Sequence, residues 1–416
     1  MTLSPRLVRL VGALLFLAPA VNLVWRGGTG YCFFLLVAIS LYVAFANRHS
    51  REYFAPLRKY PWYTASMLVF TLAIALQQAV EHYWLPRQFD ALSRFALALP
   101  LFLMLCRMPP RYLRAVGWGC VAGALAVAVW AIVARPPGGW TDATRLNNSY
   151  TNAIPFGDTA LLLAFLSIFT FGWDPRRDWR TLAIKLLALV AGGFVSYLSG
   201  TRGGWLAVPI FVVLLGTQYG WFAHWKRLAI ATVVVVACAA ALLSTERMRH
   251  RFDEATTDVT LMQRGNDDTS VGLRLQLWQA SLRIFSQHPV YGVGKGRLVD
   301  ALGEMAKRGE VKSEIVNERA HSDFFSTLAE MGTVGVLCLA LYYFGTLVYF
   351  WRHRRAADPT IRAAAHAGLA VSFSTIIFGL TIDVLVPIMV TVLLALLTAT
   401  LLAMIEVRGR EIASGS

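Results

Sequence analysis

Apolar residues run through this chain in long blocks separated by short polar joints. The blocks fall near 7–25, 29–46, 62–80, 92–106, 114–134, 156–173, 182–199, 204–221, 228–244, 324–350, 363–382 and 387–405. Most approach or exceed the roughly 18–20 residues that cross about 30 Å of hydrocarbon as a helix. The pattern predicts an all-α polytopic membrane protein of about twelve transmembrane helices. One stretch breaks the rhythm. Residues 245–323 are largely polar, with helical periodicity from Val271 to Gln287 set by Leu273, Leu277, Trp278, Leu282 and Phe285. The expected organisation is nine spans over 1–244, a large helical loop over 245–323, and three spans with a short tail over 324–416.

Composition agrees. Of 416 residues, 56% are hydrophobic and 15% charged, which is too apolar for the soluble domains that length alone suggests. The run after Met1–Arg9 is like a signal peptide but offers no convincing small-residue cleavage site, so it reads as the first span. Cys32, Cys106, Cys120, Cys238 and Cys338 all lie in apolar stretches. They read as small core residues, not as a disulfide framework or a zinc site.

The net charge of +15 is unevenly distributed. Alternate joints are rich in cations: Arg48, Arg51, Arg58 and Lys59; Arg107 and Arg111; Arg176, Arg177 and Arg180; Lys226 and Arg227; Arg352, Arg354 and Arg355; Arg408 and Arg410. The positive-inside rule puts this set and both termini in the cytoplasm, beside anionic headgroups. Charges divided among short loops do not make a nucleic-acid surface. The loop over 245–323 then faces the other side. Its twelve basic and twelve acidic residues do not oppose this, because long translocated segments escape the rule. Trp25, Trp62, Trp84, Trp173, Trp221 and Trp351 at span ends fit interfacial belts.

Several charged groups sit at the outer face. Arg94 lies just inside the fourth span and Arg145 in the 135–155 joint. Arg202 occupies the turn Ser199-Gly200-Thr201-Arg202-Gly203-Gly204. Flanking glycines, a following helix start and a guanidinium together make an anion site; a snorkelling arginine in a tight hairpin is the other reading. In the large loop, Asp267, Asp268, Thr269 and Ser270 read as a helix start. Arg274 and Trp278 then share a helix face, either as a site or as part of an amphipathic helix resting on the membrane. The run Tyr291-Gly292-Val293-Gly294-Lys295-Gly296-Arg297 lacks Walker spacing and follows a helix, so it reads as a tight turn and not a phosphate loop. His321 stands before the tenth span, where it is either a base or a cap residue. Asp383, in the joint after the eleventh span, is a carboxylate that orients a base or caps a turn. No metal spacing and no nucleophilic triad is recognisable.

The turn around Arg202, the series Arg274…Trp278…His288-Pro289…Gly292-Val293-Gly294…Gly296, and His321 followed by Glu330 and Gly332 resemble the O-antigen ligase and polymerase superfamily. The topology resembles it over the whole chain, the motifs between about 199 and 335. The resemblance implies a GT-C-like fold in the bacterial inner membrane with its active site facing the periplasm. It implies transfer of a polysaccharide from undecaprenyl diphosphate to the lipid A-core, without cofactor or metal. By position, Arg202 and Arg274 match the family's essential arginines and His321 its essential histidine. Asp383, Arg145 and Arg94 remain candidate supporting residues. The residue types suit that chemistry. Guanidinium groups grip phosphate oxygens bidentately and stabilise charge on a departing diphosphate. A histidine can take the proton of an acceptor hydroxyl, and direct attack at the anomeric carbon inverts it. A polymerase joining the same donors to one another and a protein O-oligosaccharyltransferase are the near rivals. A transporter is the distant one. It is disfavoured because the long loop does not divide the spans into halves and no pair of broken helices is apparent.

Overall fold

The structure, a computed structural model, describes residues 4–141, 143–245, 256–257 and 269–415. Its helices are α1 (Pro5–Ala20), α2 (Gly28–Ala46), α3 (Arg51–Lys59), α4 (Pro61–Val80), α5 (Phe89–Leu105), α6 (Pro110–Leu113), α7 (Ala115–Val133), α8 (Ala153–Phe169), α9 (Trp179–Ser199), α10 (Val208–Gln218), α11 (Trp225–Leu243), α12 (Ser270–Gln287), α13 (Leu298–Lys307), α14 (Asp323–His353), α15 (Pro359–Gly379) and α16 (Ile388–Gly415). Among the described residues the only β contact is a single bridge between Asn148 and Thr151. Nine helices among those residues are long and apolar enough to cross a membrane. The other three expected spans are also helical, as α1, α10 and α11. The chain is an all-α polytopic membrane protein.

The helices form two compact units, Met1–Leu214 with Leu337–Ser416, and Leu215–Val336. In the first, helix starts are set by local chemistry. Ser4 accepts from Leu7 N ahead of Pro5, and Asp178 accepts from Thr181 N at 2.9 Å. Asp358 accepts from Thr360 N and Ile361 N, and takes Arg408 at 3.0 Å. Burial pushes the Asp358 carboxyl up, but these donors outweigh it and hold the group below its ordinary value. Its stabilisation is therefore complete at neutral pH and is lost only as the pH falls through that lowered value.

Helix α8 is buried on nearly every side, packed between α7 and α9, while α16 packs on α5 and α15. Helix α1 lies against α7 over a G-x-x-x-G pair. A Cβ at Gly119 would stand 2.2 Å from Phe16 O, and one at Gly123 2.4 Å from Pro19 O. The basic joints at 48–59, 107–111 and 408–410 meet at one end of this unit. Lys59 pairs with Glu406 at 2.7 Å, Arg107 with Glu52 at 3.2 Å, and Arg410 donates to Cys106 O. At the other end Asn22 donates to Met389 O (3.2 Å), Asn148 to Leu23 O (2.9 Å) and Arg145 to Ser199 O (2.7 Å). One belt residue is corrected. Trp173 is only 1% exposed, and its indole donates to Thr360 O at 3.1 Å, so it is a packing residue.

Near the basic end Lys185 is fully buried. It pairs with Asp174 at 2.9 Å and donates to Thr170 Oγ1, while Trp118 Nε1 donates to Asp174 at 3.0 Å. Removing one partner of such a pair costs about 3–5 kcal/mol, whereas replacing both is close to neutral. Lys185→Met should lower the thermal unfolding midpoint sharply in detergent. Adding Asp174→Asn, which keeps an acceptor for Trp118, should restore most of it. A single variant as stable as the parent would contradict the pairing.

In the second unit α12 and α13 share a core. Leu277, Ala280 and Ile284 pack with Leu298, Leu302 and Met305, over Ile315 and Ala329. Cys32, Cys106, Cys120 and Cys338 are buried and unbridged.

Candidate active site

The turn that carries Arg202 is held from beneath. Gly200 caps α9 with φ 65°, a left-handed value that a side chain would strain. Thr201, buried, donates its hydroxyl to Asp158 Oδ1 of α8 at 2.7 Å. Arg145 Nε holds Ser199 O. Arg202 itself is exposed on the turn. The glycines after it are closely packed on the side a Cβ would occupy. A Cβ at Gly203 would lie 2.1 Å from Thr381 Oγ1, and one at Gly204 2.2 Å from Asp158 Oδ1. The Thr381 contact also brings the 380–387 joint, with buried Asp383, to the Arg202 turn. Arg145, Arg202 and Asp383 therefore share one end of the first unit. Arg94 has a different setting. It pairs with Asp90 at 2.7 Å and lies over the Phe34 ring, so among the described residues its contacts satisfy a charge at membrane depth and do not reach the turn.

In the second unit Thr269 caps α12, accepting from Gly272 N at 3.1 Å, which places half-buried Arg274 in the first turns of the helix. Asp267 and Asp268 lie outside the described residues. One helical turn after Arg274, Trp278 Nε1 donates to Ala320 O at 2.9 Å, and its ring stacks on Phe325 at 4.8 Å. The residue next to Ala320 is His321.

The glycine run is a backbone splice, as a tight-turn reading requires. Helix α14 breaks at Gly332, with φ 59° and ψ −150°. The break leaves carbonyl and amide groups without helical partners. The 289–294 segment supplies them. Val293 N donates to Ala329 O and Gly294 N to Glu330 O, both at 3.0 Å, while Thr333 N donates to Pro289 O at 2.9 Å and Val334 N to Val290 O at 3.2 Å. Gly292, at φ 69°, sits so close to the break that a Cβ would stand 2.5 Å from Glu330 C.

Glu330 locks this splice. It is 1% exposed, takes Lys295 Nζ at 2.5 Å and Gly296 N at 3.2 Å, and has Arg319 at 3.9 Å. Lys295 and Arg319 did not stand out in the sequence. The available signal was Glu330 itself, since a carboxylate within an apolar helix demands a cation.

His321 adopts φ 49°, which is uncommon for any residue but glycine. Its Nε2 lies 3.4 Å from Glu318 Oε2. Its Nδ1 is buried and has no hydrogen-bond partner among the described residues. With Nε2–H directed at Glu318, Nδ1 presents a lone pair. The carboxylate against this imidazole is thus Glu318, three residues upstream, which sequence reading passed over. Within the second unit, Arg274 presents a half-buried guanidinium and His321 an imidazole set against Glu318.

The profile of a family described as O-antigen ligase matches residues 186–340. That segment includes Arg202, Arg274, the 289–296 splice, His321 and Glu330. Among relatives, an uncharacterized protein of Haemophilus influenzae is 23% identical over 269 residues, covering 64% of this chain and 66% of that protein. The O-antigen ligase of Escherichia coli is 23% identical over 198 residues, 46% of each. The chain thus spans just under two thirds of the first relative and under half of the second.

Proposed function

We propose, from the match of residues 186–340 to the O-antigen ligase family, that this chain is an inverting glycosyltransferase of the bacterial inner membrane. In this reading it moves O-antigen polysaccharide from undecaprenyl diphosphate to a hydroxyl of the lipid A-core. The work is done on the periplasmic face, with the basic joints and both termini in the cytoplasm. The observation that carries the reading is the family match over 186–340, the segment that includes Arg202, Arg274 and His321.

Arg202 and Arg274 bind the donor diphosphate. His321 takes the proton of the acceptor hydroxyl as its oxygen bonds to the anomeric carbon. The bond from that carbon to the phosphate oxygen breaks, and its electron pair stays on the diphosphate, where guanidinium groups stabilise it. Glu318 holds the imidazole orientation and stabilises the imidazolium that forms. Arg145 and Asp383 support the Arg202 turn from behind.

Trp278 positions His321 through Ala320 O. Trp278→Phe keeps the stack on Phe325 and removes that hydrogen bond, worth about 0.5–1.5 kcal/mol. Turnover should fall several-fold with little change in acceptor KM or in the unfolding midpoint. An unchanged turnover would remove Trp278 from the mechanism.

A strain lacking the gene tests the reaction assigned. The expected phenotype is long polymer retained on undecaprenyl diphosphate and none on lipid A-core. Single repeat units on lipid A-core would instead identify a polymerase, and a normal polymer ladder on lipid A-core would remove both.

A further inference from the structure

At the basic end of the first unit, the α3–α4 junction, the last turn of α14 and the last turns of α16 enclose a cavity of about 240 Å³. Lys59, Tyr60, Tyr349, Arg352, His353 and Glu406 are among its walls. We propose that this cavity is a binding site for the headgroup of an anionic glycerophospholipid.

The charges inside it do not cancel. Glu406 is the one carboxylate of the wall. It is already held by Lys59 at 2.7 Å, by the Tyr60 hydroxyl at 2.7 Å and by Arg410 at 3.4 Å. Two cations therefore answer one anion, and Arg352 adds a third positive charge. Arg352 is exposed, lies 6.0 Å from the Tyr349 ring centre, and has no carboxylate within ion-pair distance among the described residues. A helix end explains His353, whose Nδ1 meets Tyr349 O at 2.8 Å, because the last carbonyls of a helix attract such donors. It does not explain why Arg352 faces the same hollow as Lys59, which comes from another helix.

The shape fits a lipid better than a free anion. The floor is aromatic: the Tyr60 and Tyr349 rings meet edge to face at 5.0 Å. Tyr349 Oη accepts from Trp62 N at 3.1 Å, and Trp62 is 55% exposed on the outside of the bundle. Tryptophan at that position marks headgroup depth. A phosphate diester in the cavity would be gripped by Arg352 and Lys59, while its acyl chains ran beside Trp62 along α4. Basic pockets between spanning helices take anionic headgroups in this way.

The test uses the purified full-length protein in neutral detergent, titrated with short-chain phosphatidylglycerol, short-chain phosphatidylcholine or inorganic phosphate, with the thermal unfolding midpoint as readout. Phosphatidylglycerol should raise the midpoint in a saturable way, and the other two should not at equal concentration. Arg352→Gln should leave the unliganded midpoint unchanged and weaken the apparent Kd about tenfold, equivalent to about 1.4 kcal/mol. Arg355→Gln, an exposed arginine of the same joint outside the cavity, should bind as the parent does. Equal shifts with the two lipids, an unaltered Kd in Arg352→Gln, or an equal loss in Arg355→Gln would overturn the site. An equal shift with inorganic phosphate would overturn its assignment to a lipid.

Discussion

Replacing Arg202 or Arg274 by alanine is expected to leave a folded membrane protein that transfers glycan at least about 10²–10³-fold more slowly, the usual loss when one preorganised donor to developing charge is removed. For Arg202 the structural argument is direct. The turn is anchored by Thr201 on Asp158, by Arg145 on Ser199 and by Gly203 against Thr381. The Arg202 side chain is exposed above these contacts, so truncating it leaves them in place. Arg274 is half-buried, but the α12 start is fixed by Thr269 and its packing by Leu277, Ala280 and Ile284. Lysine at either position keeps the charge and loses the two-pronged grip, so activity should be intermediate. The check is a rate measured on purified variants whose unfolding midpoints match the parent. Wild-type rates in both alanine variants would end the diphosphate assignment.

Glu330→Ala should have the largest effect on stability. It leaves buried Lys295 without its carboxylate and removes the acceptor of Gly296 N. The expected cost is about 3–5 kcal/mol, the range for breaking one side of a buried pair. The damage should not stay local. The 289–294 segment and the helix break at Gly332 exchange four backbone hydrogen bonds beside this pair, so amide exchange should quicken in 289–296 and 329–334 together. Replacing both partners, as in Lys295→Met with Glu330→Met, should recover most of the midpoint. A double variant no more stable than the single one would mean that the pair is not what holds the splice.

The spans could be read from sequence because hydrocarbon thickness alone sets the length of an apolar run. Each of the twelve blocks corresponds to a helix. Arg202, Arg274 and His321 stood out because each sits beside glycine, proline or cap residues that have local meaning. What escaped depends on partners distant in the chain. Glu330 and Lys295 are 35 residues apart, and Trp173 and Thr360 are 187 apart. No periodicity encodes such pairs; only the cost of burying a charge or an indole N–H implies that a partner exists. The tight packing of Gly203 and Gly204 was out of reach for the same reason, since the atoms that crowd them belong to Thr381 and Asp158. The Arg94 pair is a local one that the sequence does carry, because Asp90 stands one helical turn before it.

The central claim is glycan transfer from a lipid diphosphate with His321 as the base. The most direct measurement uses purified protein, lipid-linked O-antigen and lipopolysaccharide lacking O-antigen, with no nucleotide sugar or ATP added. The parent protein should convert the short lipopolysaccharide into the long form. His321→Ala should not, although its unfolding midpoint should be close to the parent's, since the side chain's one described ion pair is with Glu318 at 3.4 Å. Long lipopolysaccharide formed by His321→Ala at the parent rate would contradict the account.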